Sequence, residues 1–314
     1  TVVADIAPAS AAPILITGGA GFIGSHLADA LLARGYRVRV LDNLSAGKRE
    51  NLAAGVELLV GDVADATVVR HALGGCQAVV HLAAVASVQA SVDDPVATHQ
   101  SNFIGTLNLC EAMREEGVKR VLFASSAAVY GQNGQGTAIT EDLPKSPLTP
   151  YAADKLASEH YLDFYRRQHG LEPAIFRFFN VYGPRQDPSS PYSGVISIFT
   201  QRAQAGQPIT VFGDGEQTRD FIYVADLVQL LVQALEAQQV VEGAVNVGLN
   251  QVTSLNQLLA EIGQLVGGLP SVTHTEARAG DIRHSRADNS RLLAHFSLAQ
   301  PTPIGVGLAR LLGR

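Results

Sequence analysis

One segment of the sequence, residues 14–43, constrains the fold more than any other: ILITGGAGFIGSHLADALLARGYRVRVLDN. An apolar run typical of a buried strand leads into a glycine-rich turn, which opens an amphipathic helix followed by a second apolar run. Gly19, Gly21 and Gly24 satisfy the pattern G-x-G-x-x-G, and Gly18 adds a G-x-x-G-x-x-G frame. Between a strand and a helix, such glycines permit a tight turn and let backbone amides approach a pyrophosphate. The segment therefore predicts a dinucleotide-binding α/β domain.

Acidic residues follow the second and third predicted strands. Asp42 ends the second strand, eighteen residues after Gly24, where a carboxylate accepts hydrogen bonds from the ribose diol of adenosine. The same charge would repel a 2′-phosphate, so the sequence favours NAD over NADP. Asp62 ends the third strand, where it is placed either to receive the adenine amino group or to cap the next helix.

The alternation of apolar strands and helical stretches continues to about residue 180. It indicates a parallel sheet covered on both faces, and hence a doubly wound, Rossmann-like α/β domain that binds NAD over residues 13–180. The Pro-, Gly- and Ser-rich stretch VYGPRQDPSSPYSG interrupts the pattern. A smaller C-terminal α/β substrate lobe is expected over residues 181–314, with elements near 221–248 returning to the main sheet. Residues 1–12 are expected to form a loose leader.

Composition excludes several classes of function. Of the 314 residues 46% are hydrophobic and 17% charged, which is typical of a compact globular protein. The net charge of −6 offers no basic stripe for a nucleic-acid partner. Apolar runs are too short to span a membrane and the opening residues do not resemble a signal peptide, so we expect a cytoplasmic enzyme without a membrane partner. Cys76, Cys110 and the nine histidines show no ligand spacing, so no disulfide or metal site is predicted.

Candidate catalytic side chains come from a strand end and a helix start. Tyr151 and Lys155 stand four residues apart on one face of a predicted helix. Alone, such a pair is more often a surface pair. Ser125 and Ser126 end the fifth predicted strand, on the sheet edge where open α/β folds bind ligands. Together with the preceding nucleotide-binding pattern, this placement favours a catalytic interpretation.

Over nearly its whole length after residue 12, the chain resembles the extended short-chain dehydrogenase/reductase family. The motifs that carry the resemblance are TGGAGFIG, DN at 42–43, HLAA at 81–84, SSAAVYG, Y-x-x-x-K at 151–155 and RFFNVYGPR at 177–185. The resemblance implies that Tyr151 is the acid/base, that Lys155 holds the nicotinamide ribose and lowers the tyrosine pKa, and that Ser126 relays or orients the proton. It also implies a tightly bound NAD, contacted by Gly18, Gly21, Phe22, Ile23, Gly24, Asp42, Asn43, Asp62, Val63, Leu82, Ala83, Ala84, Asn102, Tyr151, Lys155 and Phe178.

Ala127 and Ala128 limit the chemistry that this site supports. Family members that dehydrate nucleotide sugars place an Asp–Glu pair at these positions, and the sugar-acid decarboxylases usually keep a glutamate in the segment. Loss of water needs an acid to protonate the departing hydroxyl, and a methyl group supplies none. Oxidation and re-reduction of one carbinol remains, with NAD regenerated in each turnover. The implied reaction is C4 epimerisation through a transient 4-keto sugar.

The segments FGDGEQTRDFIYVADL and ARAGDIRHSRAD resemble the substrate lobe of UDP-sugar 4-epimerases. In that resemblance Arg219 and Arg278 bind the diphosphate, for which guanidinium forks are well suited. Ser285 stands where epimerases restricted to UDP-glucose and UDP-galactose usually carry a tyrosine, so an N-acetyl group at C2 gains room. The implied substrate-binding residues are Ser87, Ser125, Ser126, Asn180, Arg219, Arg278, Asp281 and Ser285.

The sequence thus predicts an NAD-dependent isomerase of polysaccharide biosynthesis that interconverts UDP-N-acetylglucosamine and UDP-N-acetylgalactosamine. A homodimer is implied through helices around 94–116 and 150–169. The alternatives are an epimerase of UDP-glucose and UDP-galactose, a dual-specificity epimerase, and a net NAD-dependent sugar-nucleotide oxidoreductase. A non-catalytic nucleotide sensor is disfavoured because Ser126, Tyr151 and Lys155 are all present.

Overall fold

The structure, a computed structural model, describes residues 5–188 and 194–314 and divides the chain into two compact units. Unit 1 comprises the residues up to Val129, Pro147–Arg177 and Val228–Val245. Unit 2 comprises Tyr130–Ser146, Phe178–Leu227 and Asn246–Arg314. The sequence pattern did not indicate that residues 130–146 belong with unit 2, or that the return to unit 1 is confined to residues 228–245.

Secondary structure alternates as the sequence pattern predicts. The strands are β1 (Ile14–Thr17), β2 (Val38–Asp42), β3 (Glu57–Val60), β4 (Ala78–His81), β5 (Arg120–Ser126), β6 (Glu172–Phe178), β7 (Asn180–Tyr182), β8 (Ile209–Phe212), β9 (Thr218–Arg219), β10 (Phe221–Tyr223), β11 (Ala244–Val247), β12 (Thr253–Ser254) and β13 (Val272–Thr275). The helices are α1 (Phe22–Ala33), α2 (Ala66–Leu73), α3 (Val88–Asp93), α4 (Pro95–His99), α5 (Gly105–Glu116), α6 (Pro150–His169), α7 (Val195–Ala205), α8 (Val224–Glu236), α9 (Leu255–Val266), α10 (Ser290–His295) and α11 (Ile304–Leu311). A π-helical turn, Gln100–Ile104, joins α4 to α5.

The central sheet has seven strands in the order β11-β6-β5-β4-β1-β2-β3. The pairs β1–β2, β1–β4, β2–β3 and β4–β5 are parallel. Strands β1 and β4 are buried throughout, which explains why they are uniformly apolar rather than alternating. The chain winds outward from β1 in one direction and from β4 in the other, so the predicted doubly wound α/β fold is confirmed.

Helix α6 carries the Tyr–Lys motif, and its ends follow from local sequence. The Thr149 hydroxyl accepts a hydrogen bond from the Ala152 amide, and Pro150 occupies the first helical position, where no amide partner is needed. The helix ends at Gly170, which adopts the left-handed conformation with φ of 71°. Tyr151 therefore lies in the first turn of the helix, at a position fixed by the cap.

Unit 2 is smaller and consists of short paired strands packed by helices. Strands β7 and β10 pair in parallel, as do β8 and β13, whereas β9 and β12 are antiparallel. Its core is apolar and includes the buried side chains of Phe199, Val211, Leu258, Ile262 and Leu308. This packing agrees with the predicted smaller α/β lobe.

The described part of the predicted leader is anchored rather than loose. Ile6 is buried, and the side-chain amide of Gln77 donates hydrogen bonds to the carbonyls of Ala7 and Ala12. The Ala7 amide donates to the Gln77 side-chain oxygen in return. Residues 1–4 lie outside the described part of the chain. The segment is held in place because one part-buried glutamine satisfies the backbone that precedes β1.

Candidate functional site

The glycine turn between β1 and α1 allows a close approach that side chains would prevent. Gly18 has φ of +67°, and a Cβ there would lie 2.8 Å from the Ala83 amide nitrogen. A Cβ on Gly24 would lie 2.5 Å from the Gly19 Cα. Helix α1 begins directly after Gly21, without a side-chain cap and without an acidic residue in its first turn. Free amides at this N-terminus fit an anion such as the pyrophosphate of NAD.

The carboxylates predicted to face adenosine lie at the expected strand ends. Asp42 ends β2 and accepts hydrogen bonds from the amides of Ala20 (3.0 Å) and Leu44 (2.8 Å). Asp62 follows β3 and accepts one from the Ala64 amide at 2.9 Å. The alternative role of Asp62 as a helix cap is wrong, because Asp65 caps α2. Asn43 donates to the Asp62 carboxylate at 3.3 Å, so these predicted NAD ligands are adjacent.

Ser126, Tyr151 and Lys155 are brought together in unit 1. The Ser126 hydroxyl is hydrogen-bonded to the Tyr151 phenol and also accepts from the Ala128 amide at 3.1 Å. The Lys155 ammonium lies 5.7 Å from the centre of the Tyr151 ring and donates to the Ala124 carbonyl at 2.7 Å. The Tyr151 amide donates to the buried Ser91 hydroxyl at 3.1 Å, a contact that sequence reasoning missed.

The protein surroundings of Tyr151 do not change its pKa in the direction that the resemblance implies. Burial raises the pKa of Tyr151, and the hydrogen bond with Ser126 acts in the opposite direction. Burial also lowers the pKa of Lys155 to about 8, although the carboxylates of Asp154 and Glu159 oppose this effect. The protein groups alone therefore do not produce the lowered tyrosine pKa that the resemblance implies. A phenolate at this position would need a positive charge beside it, such as the one that the nicotinamide ring of NAD⁺ carries.

Two of the predicted substrate ligands already have partners within the protein. The buried Ser125 hydroxyl donates to the Glu159 carboxylate at 2.5 Å, and Arg177 donates to the same carboxylate at 3.1 and 2.7 Å. Ser87 caps α3 by accepting from the Ala90 amide at 3.1 Å. Sequence reasoning missed Glu159, although its spacing of four residues from Lys155 places both on one face of α6.

The loop after β4 contains three predicted NAD contacts, Leu82, Ala83 and Ala84. The Asn102 side chain accepts from the Val85 amide at 2.7 Å and donates to the Val85 carbonyl at 3.1 Å. Asn102 thus orders the loop backbone. The remaining predicted NAD contacts lie near the strand ends and the first turn of α1: Phe22, Ile23, Val63 and Phe178.

Unit 2 carries the residues predicted to bind the diphosphate. Arg219 donates to the Asp281 carboxylate at 3.2 Å and to the Thr218 carbonyl at 2.7 Å. The Arg278 guanidinium lies 4.1 Å from the centre of the Phe212 ring, which is 38% exposed. Asn180, at the start of β7, is exposed. The pattern of charged residues did not reveal Phe212, whose only sequence signal is an aromatic residue at a strand end.

Ser285 lines a cavity of about 300 Å³ within unit 2. Its amide donates to the Thr218 carbonyl at 3.2 Å, and the Thr218 hydroxyl is hydrogen-bonded to His284 at 2.9 Å. The lining residues are Gly136, Thr137, Thr218, Val252, His284, Ser285 and Arg286. The Ser285 segment contributes three of these residues, and all three have polar side chains.

Metal-binding clusters and membrane-spanning helices are both absent from residues 5–188 and 194–314. In that part of the chain, no cluster of three or more His, Cys, Asp or Glu side chains is arranged to hold a metal ion. None of the helices described there combines the length and apolar character needed to cross a bilayer. Cys76 and Cys110 are buried free thiols.

A glycine turn at a helix N-terminus and a Ser–Tyr–Lys trio at the edge of a parallel sheet define a dinucleotide-dependent enzyme of the Rossmann-like class. Comparison with known families makes this assignment specific. The chain belongs to the NAD dependent epimerase/dehydratase family, which matches residues 14–248, and NAD is its cofactor. The predictions of family and cofactor are confirmed.

Known relatives match the chain over nearly its whole length. It is 39% identical to the UDP-glucose 4-epimerase of Mycolicibacterium smegmatis over 303 residues, 94% of this chain and 96% of that one. A structure of UDP-N-acetylglucosamine 4-epimerase from Methanobrevibacter ruminantium M1 with UDP-N-acetylmuramic acid has a TM-score of 0.90 and 37% identity, covering 96% and 97%. The UDP-glucose 4-epimerase of Thermus thermophilus in complex with NAD has a TM-score of 0.89 and 39% identity, covering 96% and 98%.

Proposed function

We propose that this chain is an NAD-dependent 4-epimerase of UDP-sugars that accepts UDP-N-acetylglucosamine and UDP-N-acetylgalactosamine. The observation that carries the proposal is the short side chain of Ser285 on a cavity of about 300 Å³. A tyrosine at this position would fill part of that space with an aromatic ring. An N-acetyl substituent needs room that a hydroxyl does not, so the serine favours the larger substrates.

The proposed reaction needs side chains that remove one proton from the sugar and later return it. Tyr151 removes the proton from the C4 hydroxyl of the sugar and later returns it, while the Ser126 hydroxyl orients the phenol. Bound NAD supplies a reversible acceptor for the C4 hydride. Lys155, 5.7 Å from the centre of the Tyr151 ring, would hold the nicotinamide ribose and add to the positive charge that favours the phenolate over the phenol. Ala127 and Ala128 place no acid beside the sugar, which disfavours loss of water.

Inversion at C4 also requires that the sugar ring rotate to present its opposite face while its nucleotide stays bound. Arg219 and Arg278 are suited to hold the diphosphate, because a guanidinium donates two parallel hydrogen bonds to phosphate oxygens. Asp281 pairs with Arg219 at 3.2 Å and so orients one of these forks. Asn180 is exposed, and its side-chain amide can donate to the phosphates. Tight binding of UDP and loose binding of the hexose are both expected.

The second candidate is an epimerase restricted to UDP-glucose and UDP-galactose, since two of the relatives described above carry that name. Purified protein should be incubated separately with UDP-N-acetylglucosamine and UDP-glucose without added cofactor, and the products resolved by NMR. We expect conversion of UDP-N-acetylglucosamine to its C4 epimer. Conversion of UDP-glucose alone would favour the second candidate, and conversion of neither would contradict both. Tyr151→Phe serves as the inactive control, with kcat lowered at least about 100-fold.

A homodimer is part of this proposal. Helices α4 and α6 expose apolar side chains that a single chain leaves uncovered, with Val96 71%, Tyr161 43% and Phe164 42% exposed. Phe103 packs edge-to-face on Tyr161 with ring centres 4.9 Å apart, which extends the apolar surface. Exposed apolar patches of this kind commonly mark interfaces between proteins. A second copy of the chain is the proposed partner.

A further inference from the structure

The loop that follows β4, residues 82–85, is held at both ends by buried side chains. At its start, the Thr17 hydroxyl oxygen accepts hydrogen bonds from the amides of Leu82 and Ala83, each at 3.1 Å. At its end, Asn102 both accepts from and donates to the backbone of Val85. Thr17 and Asn102 come from different elements, β1 and the π-helical turn. A connection between these elements is therefore needed to fix the two ends of the loop relative to each other.

His81 supplies this connection. Its Nδ1 lies 2.6 Å from the Thr17 hydroxyl oxygen, and its Nε2 lies 3.0 Å from the hydroxyl oxygen of Thr106. The Thr106 hydroxyl in turn donates to the Asn102 carbonyl at 3.1 Å. Thr17, His81, Asn102 and Thr106 are each 2% exposed or less. Asn102 takes part through both its backbone carbonyl and its side chain, so the four residues and the loop backbone form a closed, buried ring that hydrogen bonds hold together.

The hydrogen-bond donors and acceptors around His81 are compatible with one tautomer of its imidazole. Thr106 has a single hydroxyl hydrogen, and because it points to the Asn102 carbonyl, the Thr106 oxygen must accept from His81 Nε2–H. Nδ1 is then the acceptor of the Thr17 hydroxyl hydrogen. This leaves the lone pairs of Thr17 free for the amides of Leu82 and Ala83. A proton on Nδ1 would turn the Thr17 hydroxyl away and add a third donor to its oxygen.

The environment of His81 keeps the imidazole neutral. Burial, together with the positive charge of Lys155 on α6, lowers the pKa of His81 to about 3. The Phe123 ring of β5 stacks on the imidazole at 5.9 Å and adds no charge. The partners on β1 and α5 are hydroxyls. At neutral pH the ring is therefore complete.

We propose that His81 is a positioning residue for NAD binding, which acts by closing the Thr17–His81–Thr106–Asn102 ring that fixes residues 82–85 against the glycine turn. The fit is close, because a Cβ on Gly18 would lie 2.8 Å from the Ala83 amide. A loop that shifts by a few tenths of an ångström changes the space that the turn offers to a dinucleotide. The inference rests on NAD as the cofactor and is independent of which sugar is the substrate.

Thr106→Val tests the ring from a residue whose hydroxyl bonds His81 and Asn102 rather than the backbone of residues 82–85. The substitution keeps the side-chain shape and removes the acceptor of His81 Nε2–H. We expect the Kd for NAD, measured calorimetrically on protein stripped of cofactor, to rise about ten-fold, since one hydrogen bond contributes about 1.4 kcal/mol. Thr106→Ser retains the hydroxyl and should bind NAD within about two-fold of the unsubstituted protein. NAD retained per chain after gel filtration gives a second readout.

Thr98→Val is the matched control. Thr98 is equally buried on α4, and its hydroxyl bonds the Asp94 carbonyl at the start of its own helix, at 2.9 Å. We expect this variant to lose stability without losing NAD affinity. A Thr106→Val protein that binds NAD as tightly as Thr98→Val would overturn the proposal.

Thr17→Val breaks the ring on the other side of the imidazole and should weaken NAD binding to a similar extent, with Thr17→Ser restoring it. Circular dichroism of each stripped variant shows whether the fold is retained. Loss of the fold in both valine variants of the ring, with Thr98→Val folded, would assign the ring to folding alone and would also overturn the proposal.

Discussion

Ser285 shares its cavity with Thr137, Thr218 and His284. Ser285→Tyr would place an aromatic ring in the space that these neighbours bound and would leave less room for an N-acetyl group at C2. We expect kcat/KM for UDP-N-acetylglucosamine to fall at least about ten-fold, with the value for UDP-glucose changed less than about three-fold. Initial rates on both substrates measure the ratio.

Ser271→Tyr provides the control for this change, because Ser271 is an exposed residue of unit 2 that does not line the cavity. Neither substrate should be affected by it. Equal loss on both substrates in Ser285→Tyr would show that the ring disturbs the fold of the segment and does not act as a gate.

His81 also makes stability depend on pH. Its pKa in the folded protein is about 3, below the ordinary value of 6.5, so the unfolded chain binds a proton first as the pH falls. This contribution to stability is complete above about pH 6.5 and is lost progressively toward pH 3. At pH 5 the free energy of unfolding should be about 2 kcal/mol lower than at pH 7 from this residue.

Urea denaturation of the protein and of His81→Asn at pH 7 and pH 5 isolates this effect. The asparagine variant is less stable at neutral pH, but it should lack the part of the pH slope that His81 contributes. An identical slope in both proteins would show that other groups cause the acid sensitivity.

Residues whose partners lie nearby in sequence were the easiest to predict. The glycine turn is specified by contacts among Gly18, Gly19 and Gly24, all within seven residues, and the sequence identified it correctly. The Tyr151–Lys155 spacing is likewise local. By contrast, Ser125, Glu159 and Arg177 meet only after the chain has folded, across 34 and 18 residues of sequence. No periodic pattern marks such a cluster, so the sequence alone pointed to the substrate as the partner of Ser125.

At the scale of elements, β5 is joined to the end of α8 through one buried arginine. Arg120 begins β5, is fully buried, and donates to the carbonyls of Ala234, Leu235, Ala237 and Gln238 at 2.8–3.3 Å. The last carbonyls of a helix have no amide partner within it, and the negative end of the helix dipole adds to the attraction. The arginine is thus a cap supplied by a distant strand.

Arg120→Met should lower the free energy of unfolding by about 3 kcal/mol or more, because the carbonyls at this helix end lose their buried donor. Arg70→Met is the matched control, since Arg70 forms an exposed ion pair with Glu115 that contributes about 0–1 kcal/mol. Chemical denaturation of both variants measures the difference. A loss in Arg120→Met no larger than that in Arg70→Met would contradict the capping role.

Elements with regular hydrogen bonds were predictable, whereas the irregular segments of unit 2 were not. Asp220 accepts from the amides of Leu249, Asn250 and Ala287, each at 3.0 Å. The Asn246 side chain donates to the Ile139 carbonyl at 2.7 Å. Irregular backbone satisfied by side chains leaves no periodic signal in the sequence. This explains why residues 130–146 were not recognised as part of unit 2.

At the scale of the whole molecule, the uncovered apolar surface of α4 and α6 is the surface through which we propose that two copies of the chain associate. Contact between water and the exposed apolar surface of Val96, Tyr161 and Phe164 is unfavourable in an isolated chain. A second copy of the chain would cover this surface. Acidic substitutions there would leave charges unpaired inside the interface, which costs several kcal/mol. Association should therefore fail while each chain stays folded.

The double variant Val96→Glu/Tyr161→Glu should be monomeric at about 10 µM, where micromolar or tighter dimers persist, and light scattering after gel filtration gives the mass directly. Leu293→Glu is the matched control, because Leu293 is an apolar residue of unit 2 that is also about half exposed, at 51%. It should remain dimeric. Bound NAD and circular dichroism establish that the double variant is folded, so that its mass reports the interface alone. A double variant that remains dimeric would place the association surface elsewhere. An unsubstituted protein that is monomeric would show that the chain does not form the proposed dimer.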